Sequence, residues 1–214
     1  MDADGFGGVD GGNATSDDDA LALPQWARPF VVVGLLVAVM WVVEILDTIP
    51  GTNFDRWGVR PRQLSGLVGI VTAPFLHSGF PHLISNTLPF LILGGLIATG
   101  GIAQYFKVTG IVALTAGLGT WLIGPAHTDH IGASGIVFGY LTYLISRGLF
   151  ERKIVYLAVG LGTLFLYGGV LWGLIPRPGI SWQSHLFGAI GGVLAAWLLH
   201  ATRDEKADPP PLTA

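Results

Sequence analysis

The chain has 214 residues, 51% of them hydrophobic and 12% charged, with a formal net charge of −3 and no cysteine. Soluble domains carry about 25% charged residues, so this composition excludes an ordinary soluble domain, and the acidic balance excludes the basic footprint of a nucleic-acid binder. Without cysteine there are no disulfides, no thiolate metal sites and no cysteine nucleophile.

The apolar residues form long blocks, and a helix needs roughly twenty such residues to cross a bilayer. The alternating ten-residue segments of a membrane β-barrel are absent. The expected class is therefore an all-α, multi-pass protein whose solvent is the lipid bilayer. Residues 1–27 are expected to be a disordered tail: Met1 to Ala20 is rich in Gly and Asp, includes Asp17-Asp18-Asp19, and lacks the basic start and apolar core of a cleavable signal. Asn13-Ala14-Thr15 fits a glycosylation acceptor, a pattern short enough to arise by chance.

Six spans are predicted within a membrane domain at 28–201. The first covers Phe30 to Asp47. The connection that follows contains "GLVGIVTAPFL" (Gly66 to Leu76), too short to span, which either rests in the membrane interface or forms a plain linker. The second span runs from Pro81 to Thr99, the third from Tyr105 to Ile123, the fourth from Ser134 to Phe150, the fifth from Ile154 to Ile175 and the sixth from Ser184 to His200. The fourth and sixth are short for a full crossing, so their N-terminal ends are expected to stop below the surface. Residues 202–214, ending "DPPPLTA", are expected to be a polar cytoplasmic tail.

Cations set the orientation. With the N-terminus inside, Arg28, Lys107, Arg147, Arg152, Lys153, Arg203 and Lys206 face the cytoplasm, and Arg56, Arg60, Arg62 and Arg177 face the other side. Both termini then lie in the cytoplasm, as expected of a multi-pass plasma (inner) membrane protein. All the unusual polar connections fall at the outer leaflet.

Three polar groups stand out. "HSGFPHLISN" holds His77, His82 and Asn86, with His82 and Asn86 four apart on one helix face, Pro81 at a helix start and Pro89 inside the span. Singly, such residues are more often interhelical glue. "GASG", Gly132 to Gly135, places Ser134 at a helix N-terminus, where free N–H groups can face an oxyanion, with Phe138 one turn later. It is not the hydrolase elbow, because Ile136 occupies the second glycine position. In "SHLFGAIGG", His185, Gly188 and Gly192 share a narrow arc that admits a close helix. Serine with histidine makes a nucleophile and a base, and a second His with an Asn supplies oxyanion donors.

The ordered set H-x-x-x-x-H-x-x-x-N (His77, His82, Asn86), G-x-S-G (Gly132 to Gly135) and H-x-x-G-x-x-x-G (His185, Gly188, Gly192) resembles the rhomboid family of intramembrane serine proteases, over roughly Arg56 to Leu199. The resemblance implies a six-helix rhomboid-like bundle with a long, partly embedded first loop. It implies Ser134 as nucleophile and His185 as base, with His82, Asn86 and the backbone N–H of Ser134 as oxyanion donors. Phe138 matches the aromatic position that packs on the imidazole, where tyrosine is common. Gly132, Gly135, Gly188 and Gly192 support the site. The family's Trp-Arg pair is not cleanly present, since Trp57 and Arg60 are separated by two residues.

The implied substrates are transmembrane proteins, cut in or near their membrane segments. No carboxylate neighbours His185 in sequence, so a Ser–His dyad is expected and not a triad. Thr128, Asp129 and His130 either line a water path or form an ordinary wet loop. "PRPGISWQ", Pro176 to Gln183, is a candidate hinged cap. A site-2 metalloprotease would need H-E-x-x-H, and an aspartyl protease two membrane aspartates, where the spans offer only Asp47. Spacing alone also permits zinc on His77, His82 and His185, but the serine-hydrolase reading needs neither metal nor cofactor. A transporter should show two similar halves, which are not evident. The main alternative is a rhomboid-like binder or chaperone of membrane helices, a class that typically lacks the serine or histidine kept here.

Overall fold

A computed structural model describes residues 24, 27–152, 154–166 and 173–207. The expected N-terminal tail lies almost wholly outside the described residues, as do Lys153, the middle of the expected fifth span and residues 208–214.

Seven α-helices occur among the described residues: α1 (Arg28–Asp47), α2 (Gly69–Thr72), α3 (Phe80–Ala98), α4 (Ile102–Ile123), α5 (Ser134–Phe150), α6 (Ile154–Leu166) and α7 (Trp182–Ala207). Their only β feature is an isolated antiparallel bridge between Val59 and His130. Among the described residues four helices are long and apolar enough to cross a bilayer: α1, α3, α4 and Trp182–His200 of α7. This is a multi-pass membrane protein.

The predicted first to fourth spans coincide with α1, α3, α4 and α5 to within three residues, and α5 begins at Ser134 as expected. Two expectations need correction. Gly173 to Ile175 are in a turn and a bend, so the fifth span does not run to Ile175. The sixth helix is not short: it starts two residues earlier, at Trp182, and continues to Ala207.

Local sequence explains the helix ends. Proline occupies the first turn of α1 and of α3, where its missing N–H costs nothing. Gly79 at φ 117° and Gly101 at φ 110° turn the chain into α3 and α4. The buried face of α1 recurs at Val33, Val37, Met40 and Glu44, while Leu35, Val39, Val42 and Leu46 face outward, as lipid requires.

Helix α5 is the hub. It packs on α3, α4, α6 and α7, and its residues from Gly135 to Arg147 are mostly buried. Its 17 residues span about 25 Å at 1.5 Å each, less than the roughly 30 Å hydrocarbon core. Its own Tyr140, Tyr143 and Leu144, with Phe90 of α3 and Tyr105 of α4, are almost fully buried. Tyr140 hydroxyl pairs with Thr109 Oγ1 at 2.7 Å, and Gln104 Nε2 donates to the Tyr143 hydroxyl at 2.6 Å.

The first connection folds against the ends of α4 and α5. Arg62 N–H donates to Trp121 O (3.0 Å), Arg62 Nη1 to Gly124 O (2.8 Å) and Trp121 Nε1 to Gln63 O (2.8 Å). The two bonds from Arg62 satisfy carbonyls at the C-terminus of α4, and the third satisfies the Gln63 carbonyl of the connection. Ile70 packs on Gly117 of α4. Leu64 and Val71 nonetheless stay largely exposed, an outward apolar surface that suits the interfacial reading of this segment better than the linker one.

Glycine sets the spacing of α5 and α7. A Cβ on Gly188 would overlap the Gly135 carbonyl oxygen, and one on Gly192 the Gly139 carbonyl oxygen. Gly188→Ala should therefore destabilise the fold by roughly 1–3 kcal/mol, read as a lower Tm in detergent. Gly110→Ala, where a Cβ meets nothing within 4 Å, should leave Tm unchanged or slightly raised.

Candidate active site

The α5–α7 seam brings its two N-terminal ends together at the floor of a cleft of about 1160 Å³. That exceeds the roughly 300–1,000 Å³ of small-molecule pockets and suits a segment of polypeptide. Ser134 is the first residue of α5 and His185 lies in the first turn of α7. His185 Nε2 is 2.7 Å from Ser134 Oγ.

The proton positions follow from the other side of the ring. His185 Nδ1 is 2.8 Å from the Gly173 carbonyl. A carbonyl only accepts, so Nδ1 carries the hydrogen. In the neutral imidazole Nε2 then holds the lone pair and accepts a hydrogen bond from the Ser134 hydroxyl. Phe138 stacks on the same ring, with centroids 4.4 Å apart and planes 9° from parallel. The expected aromatic contact needs only the ring face, which phenylalanine supplies.

His82 and Asn86 stand across the cleft on α3. Asn86 Nδ2 donates to the His82 carbonyl at 2.9 Å, which uses one amide hydrogen and leaves the other. Ser78 N–H points at His82 Nδ1 from 3.5 Å, and its hydroxyl lies 3.4 Å from the same nitrogen. An N–H only donates, so Nδ1 accepts and Nε2 bears the hydrogen. That Nε2 lies against Gly132, where a Cβ would sit 2.8 Å from it. Gly132 is also at φ 107°, so this position needs glycine for both backbone and space.

His77 plays a different part from its motif partners. It is 2% exposed and accepts the Ala133 N–H at Nε2, at 3.5 Å. It stands edge-on to His82, 5.0 Å between centroids. Burial, and then the neighbouring His82, push its pKa from 6.5 down to about 3. His77 is thus a neutral brace under the turn that presents Ser134.

Thr128, Asp129 and His130 all line the cleft, as do Pro176 to Gln183. His130 is no loosely solvated loop residue, since its ring bonds both Thr128 and Ser181. Near the Trp57 position, it is Arg56 that lies over the indole, 6.0 Å from its centroid. Arg60 Nη2 donates to Ser65 Oγ at 3.2 Å, and Arg60 Nε lies 4.0 Å from Asp129.

Residues 64–202 match the Rhomboid domain. The chain belongs to the rhomboid family. An uncharacterized protein of Mycobacterium tuberculosis is 43% identical over 187 residues, covering 83% of this rhomboid and 78% of the relative. Rhomboid-like protein 11, chloroplastic, of Arabidopsis thaliana is 30% identical over 147 residues, 60% of this chain and 51% of its own. Rhomboid protease GlpG of Haemophilus influenzae is 26% identical over 128 residues, 58% of this chain and 65% of its own.

Sequence reasoning missed two contacts of this rhomboid's site. The Gly173 carbonyl carries no sequence signal, because every residue has one. Ser78 does: it stands four residues before His82 and two before the start of α3.

His77 also sets a pH dependence. Its folded pKa lies below its unfolded one, so its contribution is complete above pH 6.5 and is lost as pH falls toward 3. At 1.36 kcal/mol per unit the full loss is on the order of a few kcal/mol. His77→Gln, which keeps an acceptor for Ala133 N–H, should show a shallower fall of Tm between pH 6.5 and 4 than wild type.

Proposed function

We propose that this rhomboid is an intramembrane serine endopeptidase that cuts peptide bonds in or near transmembrane segments of membrane proteins. The observation that carries the reading is the 2.7 Å contact of Ser134 Oγ with His185 Nε2 while Nδ1 is held by a carbonyl. Ser134 Oγ attacks the scissile carbonyl as His185 Nε2 takes its proton. His82 Nε2–H, the remaining Asn86 Nδ2–H and the Ser134 backbone N–H receive the oxyanion. His185 then protonates the leaving amine. Water, deprotonated by the same imidazole, hydrolyses the acyl-enzyme. The pair is a dyad: the Gly173 carbonyl orients the base, with a partial charge where a triad has a full one. Neither metal nor cofactor takes part.

The bilayer is crossed six times, α5 and α6 completing the set begun by the four long helices, within a domain at 28–201 flanked by tails at 1–27 and 202–214. The protein lies in the plasma membrane with both termini in the cytoplasm. The cleft then opens at the outer leaflet, under the connection from Pro176 to Ser181, which leads into α7 at Trp182. A rhomboid-like helix binder would have no use for a serine and an imidazole in contact, so the catalytic reading is favoured over that alternative.

Ser134→Ala and His185→Ala should each abolish cleavage of a transmembrane model substrate in proteoliposomes while Tm is retained. A serine-reactive fluorophosphonate should label wild type and leave Ser134→Ala unlabelled. Full cleavage by folded Ser134→Ala would end the serine-protease reading.

Removing one oxyanion donor should lower kcat about a hundredfold to a thousandfold, or less where donors overlap. His82→Ala and Asn86→Ala should therefore reduce kcat with little change in KM. An unchanged kcat in the double variant would make both residues packing groups only.

A further inference from the structure

One turn before the Ser134–His185 pair lies a second serine–histidine pair. His130 precedes Ser134 by four residues, and Ser181 precedes His185 by four, so the residue types are exchanged between the two segments. His130 Nδ1 is 2.7 Å from Ser181 Oγ, the separation found between His185 Nε2 and Ser134 Oγ. Both pairs border the same cleft.

Hydrogen-bond accounting sets the direction of this contact. Thr128 Oγ1 donates its only proton to the Pro125 carbonyl at 2.7 Å. Its oxygen therefore accepts from His130 Nε2, 2.9 Å away. With the hydrogen on Nε2, a neutral His130 presents a lone pair at Nδ1, and Ser181 donates its hydroxyl to it.

Each end is anchored to the site. The His130 backbone exchanges two bonds with Val59, at 2.9 and 3.0 Å, which tie it to the first connection. The Ser181 carbonyl accepts the His185 N–H at 3.2 Å, so Ser181 opens the turn that carries His185. The Ser134–His185 bond cannot hold this geometry throughout a reaction. Its proton moves on attack, and an acylated Ser134 has no hydroxyl to donate. The His130–Ser181 bond uses neither Ser134 Oγ nor His185 Nε2, so neither half of the reaction consumes it.

We propose that the His130–Ser181 hydrogen bond is a clasp that holds His185 at its working distance from Ser134, which makes His130 and Ser181 positioning residues. This inference rests on the protease reading. A misplacement of 1 Å costs about a hundredfold in rate, so a clasp one turn from the base has leverage on kcat.

The test uses the full chain in proteoliposomes with a transmembrane model substrate, alongside fluorophosphonate labelling. His130→Phe and Ser181→Ala should each lower kcat roughly tenfold to hundredfold and slow labelling in parallel, with KM changed by less than about twofold. The double variant should be no worse than either single, because the two remove one interaction. His130→Gln, whose amide can accept from Ser181 and donate to Thr128, should recover part of the loss. Should His130→Phe fail to fold, the smaller Ser181→Ala change carries the test. Unchanged kcat in Ser181→Ala, or losses that multiply in the double variant, would overturn the clasp alone. Labelling that persists in Ser134→Ala and vanishes in Ser134→Ala/Ser181→Ala would overturn it in favour of Ser181 as a nucleophile. Wild type that neither cleaves nor labels would overturn the protease reading and the clasp with it.

Discussion

The approach of α5 and α7 along glycine is the constraint on which the rest of the site depends. Gly188 and Gly192 bring the backbone of α7 against the carbonyl oxygens of Gly135 and Gly139. On the other flank Gly135 leaves room for the Ser184 side chain. At Gly188 and Gly192 backbone meets backbone, so the spacing there is set by atoms that cannot rotate away, with the Ser184 and Thr142 side chains filling the seam beside them. Ser134 and His185 sit at the N-terminal end of this seam. Their 2.7 Å contact is a consequence of helix spacing before it is a matter of side-chain conformation.

Polar groups buried in a membrane protein carry a desolvation cost that only partners offset. At the end of α5 opposite Ser134, Arg147 donates from Nε to Glu151 Oε1 at 2.8 Å, and its guanidinium lies 4.4 Å from the centre of the Tyr156 ring. Within the bundle Trp41 Nε1 donates to Thr87 Oγ1 at 3.1 Å. These contacts join groups of complementary role and leave little chemistry to perform. The imidazoles of His77, His82 and His185 differ. Each has one nitrogen committed to a fixed backbone partner: His185 to the Gly173 carbonyl, His77 to the Ala133 N–H and His82 to the Ser78 N–H. A backbone partner dictates the tautomer and so decides what the second nitrogen offers. For His185 that is a lone pair facing serine, and for His82 a hydrogen facing Gly132.

The connections form a stack and not separate loops. The first is held by the end of α4 through Arg62 and Trp121, and it holds the third through Val59 and His130. The third reaches the segment before α7 through His130 and Ser181. A further bond, Gly132 N–H to the Ala73 carbonyl at 2.9 Å, fixes the strained glycine beside His82. The long first connection therefore acts as a foundation for the turn that presents Ser134. This accounts for an apolar stretch too short to span.

Composition and spacing determined a good deal by themselves. A bilayer admits few backbone solutions, so long apolar blocks identified α1, α3 and α4, and glycine before serine marked the start of α5. The i, i+4 relation placed His82 and Asn86 on one face, and the ordered motifs pointed to Ser134, His185 and Phe138 together. The tertiary structure decided the rest, because it depends on backbone atoms and on residues distant in sequence. The carbonyl that orients His185 belongs to a glycine twelve residues away and exists because the chain has left the helical path by Gly173, in the stretch expected to finish the fifth span. Composition alone could not signal that break, since the apolar run continues through it. The bond of His130 to Ser181 joins residues 51 apart, and no local pattern encodes such a distance. It appears only when helix spacing, set by glycine, brings the two segments into register.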